Sequence, residues 1–512
     1  MSKKILRRNR QTSKSRRGRL IRRTKSGPRS KPSLVWFRHD LRLADNPALK
    51  AALKRGGPVI PVFVWAPKEE EPWPPGGASK WWLHRSLAAL DRDLRRIGLR
   101  LIFRTGPTMD SLHRLAEETA ASAVFWNRRH EPVIRTRDNA VDKSLRAAGV
   151  HADSFNGALL HEPWAIQNQS GKPFQVFTPF WKHCLTLPEP TKPLPAPRQI
   201  PAPSRWPASL RLEDLQLEPV PDWAGGLRAS WQPGTEGAAK QLSRFLKDAF
   251  ADYANSRNEP ALRGTSRLSP HLHFGEISPR QIWHAVKRAN DASEATKSKR
   301  GALLQHQFLT ELGWREFSHH LLYHFPHTDT KPLRAEFERF RWRSNSDWLR
   351  AWQRGQTGYP FVDAGMRELW TTGWMHNRVR MVVASFLVKD LLLPWQEGGR
   401  WFWDTLVDAD LAQNTLGWQW TAGCGADAAP YFRIFNPTSQ GQKFDAAGKY
   451  IRRWVPELAA LPDEWLHQPH AAPERVLADA GVLLGKTYPR PIVSHTIARE
   501  VALEVYAKIR TA

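Results

Sequence analysis

The sequence predicts an α/β N-terminal domain on a doubly wound parallel sheet, followed by a larger all-α domain. Between residues 33 and 165, short apolar runs alternate with helical patterns. That alternation marks parallel strands covered by helices on both faces. From about residue 236 to the end, apolar positions recur at helical spacing, as in GAAKQLSRFLKDAFADYA (237–254). Between the two lies a Pro-rich stretch, 166–235, with few periodic apolar segments, which reads as an interdomain linker. With 512 residues, 41% of them hydrophobic, the chain has room for two or three domains and a large core.

Residues 1–32 carry 14 Lys/Arg and no Asp/Glu. They read as a basic disordered arm that could lie on phosphates. The Arg/Ser-rich, acid-free composition also fits a transit peptide, and an over-extended start is a third reading. The strands follow: SLVWF (33–37), PVIPVFVW (58–65), RLIFR (100–104) and AVFW (123–126). Helical patterns lie between them at 81–97 and 109–121. No G-x-G-x-x-G follows the first strand, so a dinucleotide fingerprint is not supported. Within the linker, PFQVFTPFWKHCL (173–185) reads as a packed piece.

Net charge is +28, and removing the arm's 14 leaves +14 over the rest of the chain. A basic body suits a polyanionic partner such as nucleic acid, although a merely soluble basic protein would look the same. Two cysteines, Cys184 and Cys424, exclude a disulfide scaffold and a four-Cys metal or iron–sulfur site, and they fit a reducing compartment. The histidines show no H-E-x-x-H pattern, so no metal is expected. No apolar run approaches the ~18 residues of a membrane span. A cytoplasmic, nucleoid-associated monomer is expected, with organelle targeting by the basic arm left open.

Four constellations carry chemistry. The first is Tyr253 and Arg257 with the loop Thr265, Ser266, Arg267, Leu268, Ser269, followed by the helix-like HLHFGEISPRQIWHAV (271–286). Hydroxyls before a helix can face phosphates, and are as often only an N-cap. The second is Glu311, Trp314 and Arg315, on one helix face at i, i+3 and i+4, where a Glu–Arg surface pair is the ordinary reading. The third is Asn377, Arg378, Arg380 and Met381, at the polar start of an amphipathic helix, with Asp390 expected to complete its polar side. The fourth is the stretch 401–437, with Trp401, Trp403, Trp418 and Trp420 beside Asp408, Asp410 and Asn414, then Arg433 in an aromatic run. Trp is costly to bury and its N–H wants a partner, so Trp beside acids suggests a large flat ligand.

These residues, with WFRHDLRL (36–43), resemble the DNA photolyase/cryptochrome family over nearly the whole chain, closest to bacterial cyclobutane pyrimidine dimer (deoxyribodipyrimidine) photolyases. The resemblance implies a Rossmann-like antenna-binding domain over 33–165 and a helical FAD- and DNA-binding domain over 236–512. It implies that Tyr253, Thr265, Ser266, Arg267, Leu268, Ser269, Arg315, Asn377, Arg380, Asp408, Asp410 and Asn414 contact FAD, with Arg380 paired to Asp408 and Asn414 facing flavin N5. Lesion and DNA contacts would be Arg257, Glu311, Trp314, Arg378, Met381, Trp420 and Arg433. Trp342, Trp395 and Trp418 would carry electrons from surface to flavin, though their separations of 53 and 23 residues do not show it.

The resemblance further implies an antenna chromophore, 5,10-methenyltetrahydrofolate before 8-hydroxy-5-deazaflavin. Glu131 sits where some folate-binding members place a contact; a solvated loop acid is the other reading. The expected activity is light-dependent repair of cyclobutane dimers in UV-damaged DNA by a carbon–carbon lyase, with Glu311, Asn414 and Met381 at the reacting site. The alternatives are a cryptochrome-type blue-light photoreceptor, and a flavin-free basic module whose Trp residues stack bases.

Overall fold

The computed structural model describes residues 31–292, 307–427 and 432–510. All but two residues of the basic arm therefore lie outside the described residues.

The N-terminal domain is a five-stranded parallel sheet, β1 (Ser33–Phe37), β2 (Val59–Trp65), β3 (Ile102–Thr105), β4 (Ala123–Asn127) and β5 (His151–Phe155), in the order β3-β2-β1-β4-β5. The pleat sends alternate residues to opposite faces. Leu34, Trp36, Ile60, Val62 and Trp126 pack with Leu112, Leu115, Val141 and Leu145 on one side. Val35, Phe37, Phe63 and Phe125 pack with Trp81, Trp82 and Leu87 on the other. Both faces are thus covered, as the near-continuous apolar runs require. The edge strand β5, HADSF, was not foreseen. It is half polar and mostly half-buried, with nothing of the apolar run that marks its neighbours. Strand order reverses between β1 and β4, and the segments leaving these strands, 38–40 and 128–131, lie at the switch point where α/β folds place their ligands.

The rest of the described chain is helical. Its main core gathers Trp352, Phe361, Met375, Val383, Phe386, Trp395, Phe402 and Trp418. The packed piece foreseen in the linker is the Phe177–Thr186 helix, which shares a core with Phe245, Tyr253, Phe308 and Phe317. The expected helix over 271–286 is instead two. The Ser269–His273 helix ends in a turn at Gly275, with φ +64°, before the Pro279–Ala292 helix. A Cβ at Gly275 would stand 2.2 Å from the His39 carbonyl oxygen, so glycine lets this turn press onto the N-terminal domain.

Glu276, in that turn, joins the two domains. Its Oε1 accepts from Trp82 Nε1 at 3.0 Å, from the Gly234 amide at 2.6 Å and from Ser86 Oγ, and its Oε2 meets His271 Nδ1.

Candidate functional site

Four helices and one loop converge on Asp408 and Asp410: Gln307–His324, Asn377–Ser385, Trp395–Thr405, Leu411–Ala422, and the segment entering Ser269–His273. Asp410 caps the Leu411–Ala422 helix, accepting from the Gln413 amide at 3.0 Å. Its other oxygen lies 3.3 Å from His319 Nε2 and 3.7 Å from His273 Nδ1. Burial alone would raise this carboxyl, but the two imidazoles outweigh it and hold it well below the usual carboxylate range. Asp408 receives Arg380 Nη2 at 2.9 and 3.0 Å and Ser269 Oγ at 2.6 Å, so the pairing of Arg380 with Asp408 is present.

Asn414 donates through Nδ2 to the Gly399 carbonyl at 3.0 Å. The helices approach closely here because Gly398 has no side chain: a Cβ would sit 2.0 Å from the Trp418 ring. The Gly398-Gly399 pair was not singled out in the sequence, because glycine in a helical pattern does not by itself signal close packing.

In the loop, Thr265 and Ser266 are half-buried, and Ser266 Oγ accepts from the Leu268 amide at 3.4 Å. Arg267 adopts φ +53°, and its guanidinium stands 4.5 and 4.6 Å from the ring centres of Trp231 and Trp374. Its side chain is therefore engaged by two indoles, which leaves its backbone as its part in the loop. Tyr253 is buried edge-on against Phe245 and Phe308.

Glu311 and Arg315 do not pair. Glu311 takes Arg257 Nη1 at 2.6 Å and Gln307 Nε2 at 3.1 Å, while Arg315 Nη1 donates to the Ala158 carbonyl at 2.7 Å. Arg315 is buried, and a backbone acceptor across the domain seam was not legible from its helix face. Trp314 stacks on Phe177 at 3.8 Å and 9°, a wall from the linker that the sequence did not reveal. Arg378 donates to Asn258 Oδ1 at 2.7 Å and lies 3.7 Å from Met381 Sδ. Arg257, Glu311, Arg378 and Met381 thus form one neighbourhood, while Asn377 is exposed at the start of its helix. Asp390, expected on this polar side, is instead buried in a π-helical turn and meets His495 Nδ1 at 2.5 Å, because that turn rotates it toward the C-terminal helix.

Trp420 and Arg433 line one small cavity with Lys389, Phe432 and Tyr506. Trp395 and Trp418 are buried in one core, with Trp342 packed against it. Trp418 meets Trp352 and Phe402 edge-on at 6.2 and 5.0 Å. Glu131 is no solvated acid: Arg129 holds it at 2.7 Å while also binding Glu70 at 2.9 Å.

Beside the site, Glu368 accepts from Tyr450 Oη at 2.7 Å, and burial pushes its carboxyl up to about 7. The folded state therefore keeps a proton that the unfolded chain has released between about pH 4.5 and 7. This contribution to stability is full below that window and falls as pH rises through it, by up to about 3 kcal/mol. Glu368→Gln keeps an acceptor for Tyr450 and should flatten the fall. Thermal midpoints of the variant and wild type from pH 4.5 to 8 check this; parallel curves would refute it.

Arg315 Nε, Trp418 Nε1 and His319 Nδ1 are buried without partners among the described residues. Together with two buried carboxylates, an amide and a hydroxyl loop, they suit a flat heteroaromatic ligand with an anionic tail.

The family described as the FAD binding domain of DNA photolyase matches residues 308–508, and the DNA photolyase family matches residues 33–198. A deoxyribodipyrimidine photo-lyase of Agrobacterium fabrum is 49% identical over 480 residues, covering 94% of this chain and 98% of that one. Cryptochrome-1 of Arabidopsis thaliana is 43% identical over 470 residues, 90% of this chain and 68% of that one. The crystal structure of a bacterial class III photolyase from Agrobacterium tumefaciens superposes with a TM-score of 0.90 at 48% identity, covering 96% of this chain and all of that one.

Proposed function

The chain belongs to the DNA photolyase family, and on that premise we infer that it is a deoxyribodipyrimidine photo-lyase, repairing cyclobutane pyrimidine dimers in DNA under light. The observation that carries this reading is near full-length similarity to an enzyme of that name. The cofactor is FAD. When bound, reduced FAD absorbs light and supplies the electron that opens the dimer and then returns.

The chain's own residues hold and orient the cofactor. The Arg380–Asp408–Ser269 group fixes the loop 265–269 to the Asn377–Ser385 helix. Asp410, kept anionic, presents an acceptor to the N–H edge of a flavin ring. Asn414 bridges two close-packed helices through the Gly399 carbonyl and offers an amide, which has no easily lost proton. On the DNA side, Glu311 is poised to accept from a flipped base, with Trp314 and Trp420 as aromatic walls and Arg257, Arg378 and Arg433 near the backbone. Met381 completes that pocket, and Trp342, Trp395 and Trp418 form the electron path. The domain division is 33–165, 166–235 and 236–512. The antenna is 5,10-methenyltetrahydrofolate at the N-terminal domain, a reading supported by the firmly held Glu131. The protein acts as a monomer on UV-damaged DNA, with the basic residues 1–32 adding affinity for phosphates.

The test is loss of cyclobutane dimers from UV-irradiated DNA, with reduced protein, under blue light and in darkness. Repair only in light is expected. No repair by a protein with a normal flavin spectrum would favour a photosensor.

Asn414→Asp should weaken the protein's hold on reduced flavin. The carboxylate cannot donate to the Gly399 carbonyl and sets a negative charge against it. Negative charge beside the ring also opposes its reduction. A lower flavin midpoint potential checks this, and an unchanged one would count against the placing of Asn414.

A further inference from the structure

Behind the pocket, histidines run from Asp410 to the seam between the domains, and the repair chemistry leaves them without a role. The His319 and His130 rings stand edge to face with centroids 6.2 Å apart, and His273 meets His39 likewise at 4.6 Å. His130 next faces Trp164 at 6.2 Å and Tyr323 at 6.5 Å, and Trp164 is 40% exposed. Nδ1 of His319 and Nε2 of His130 are buried without hydrogen-bond partners among the described residues, while Nε2 of His319 lies 3.3 Å from Asp410. Buried nitrogens of this kind are costly unless a water bridges them, and polar sites with several such groups are where internal waters are held. The line therefore leads from a carboxylate in the pocket, through two imidazoles, to an exposed indole.

We propose that Asp410, His319 and His130, bridged by water, conduct protons between the cofactor pocket and solvent beside Trp164, with His273 and His39 as a side branch. The inference rests on FAD lying against Asp410. Asp410 Oδ2 accepts the proton on His319 Nε2, and His319 Nδ1 takes one from the bridging water. That water is resupplied by His130, and His130 by bulk water at the seam. One proton enters from solvent and one arrives in the pocket, and no electron moves through these histidines.

The surrounding charges suit this. His319 faces Asp410, His130 and Glu316; His130 faces Glu131, Arg128 and Arg135; His39 faces Arg129 and Arg38. Burial, reinforced by His319 and the two arginines, pushes His130 down to about 3. It therefore works as a neutral ring, accepting at one nitrogen while donating from the other. Asp410 is anionic at rest, so a proton that reaches it is passed on into the pocket and not kept.

The test uses FAD-loaded protein in weak buffer with a thiol reductant and a pH-indicator dye, following proton uptake after a blue-light flash. The flavin absorbance is read first, and its absence would overturn the cofactor reading and the relay with it. With flavin present, His130→Phe should slow uptake by about a hundredfold, the lower end of what a positioned acid–base group contributes. Imidazole in the buffer should restore the rate. Uptake at the wild-type rate, or a slowed rate that imidazole leaves unchanged, would overturn the relay. Should the variant not fold, wild-type protein decides alone: uptake slowed in deuterated water supports the relay, and uptake indifferent to deuterium sinks it.

Discussion

Arg380→Met should strip the protein of flavin and lower its stability by about 3–5 kcal/mol, the usual cost of leaving a buried charge without its partner. Arg380 reaches both oxygens of Asp408, whose side chain is only 4% exposed, and also donates to the Met375 carbonyl at 2.8 Å. Among the described residues Ser269 Oγ is the remaining hydrogen-bond donor to that carboxylate, and a hydroxyl does not neutralise it. The orphaned charge would push against the loop 265–269, which is held to the helix through the same group. Arg380→Lys should be intermediate, since an ammonium keeps the charge but loses the planar fork. The double variant Arg380→Met with Asp408→Leu separates two effects. It should regain much of the thermal midpoint, because no charge is left buried, while flavin content stays low. Thermal midpoints and the ratio of flavin to protein absorbance read both. A single variant with wild-type midpoint and full flavin would refute the role given to this pair.

How much of this was legible in the sequence varied with the kind of contact. The four apolar strands were, because burial on both faces writes itself into continuous runs. The β5 strand was not, because three of its five residues, His151, Asp153 and Ser154, are polar and leave no apolar run. The Arg380–Asp408 pair was anticipated only through the family resemblance, since 28 residues separate its members. Glu311 shows the limit of local spacing. An i, i+4 arginine was available, yet the tertiary fold brought Arg257 closer and turned Arg315 to a backbone carbonyl. Asp390 failed for a similar reason, as one π-helical turn changes the face to which a residue belongs. The histidine chain had no local signature, because His130, His273 and His319 come from three separate elements.

Glu276→Ala is expected to be the most damaging substitution outside the flavin site. Removing one carboxylate leaves the Trp82 indole, the Ser86 hydroxyl, the Gly234 amide and the His271 ring without an acceptor in a closed interior. Each orphaned donor costs about 1–3 kcal/mol, and because neighbouring losses are not additive the expected total is about 3–5 kcal/mol. These donors belong to the Gly77–Arg96 helix, the start of the Thr235–Asp248 helix and the Ser269–His273 helix. The variant should therefore loosen the N-terminal domain from the loop that carries Ser269, and lose flavin as well as midpoint. Glu276→Gln should be milder, since its carbonyl still serves Trp82 and Gly234 while its amide now faces His271. Asp404→Ala gives the contrast. Asp404 also spans the domains, accepting from the Gly77 amide at 2.8 Å, but that bond is exposed and water can replace the lost acceptor. Its loss should cost no more than about 1 kcal/mol. If the two alanine variants fell by the same amount in calorimetry, burial would not be what gives Glu276 its weight.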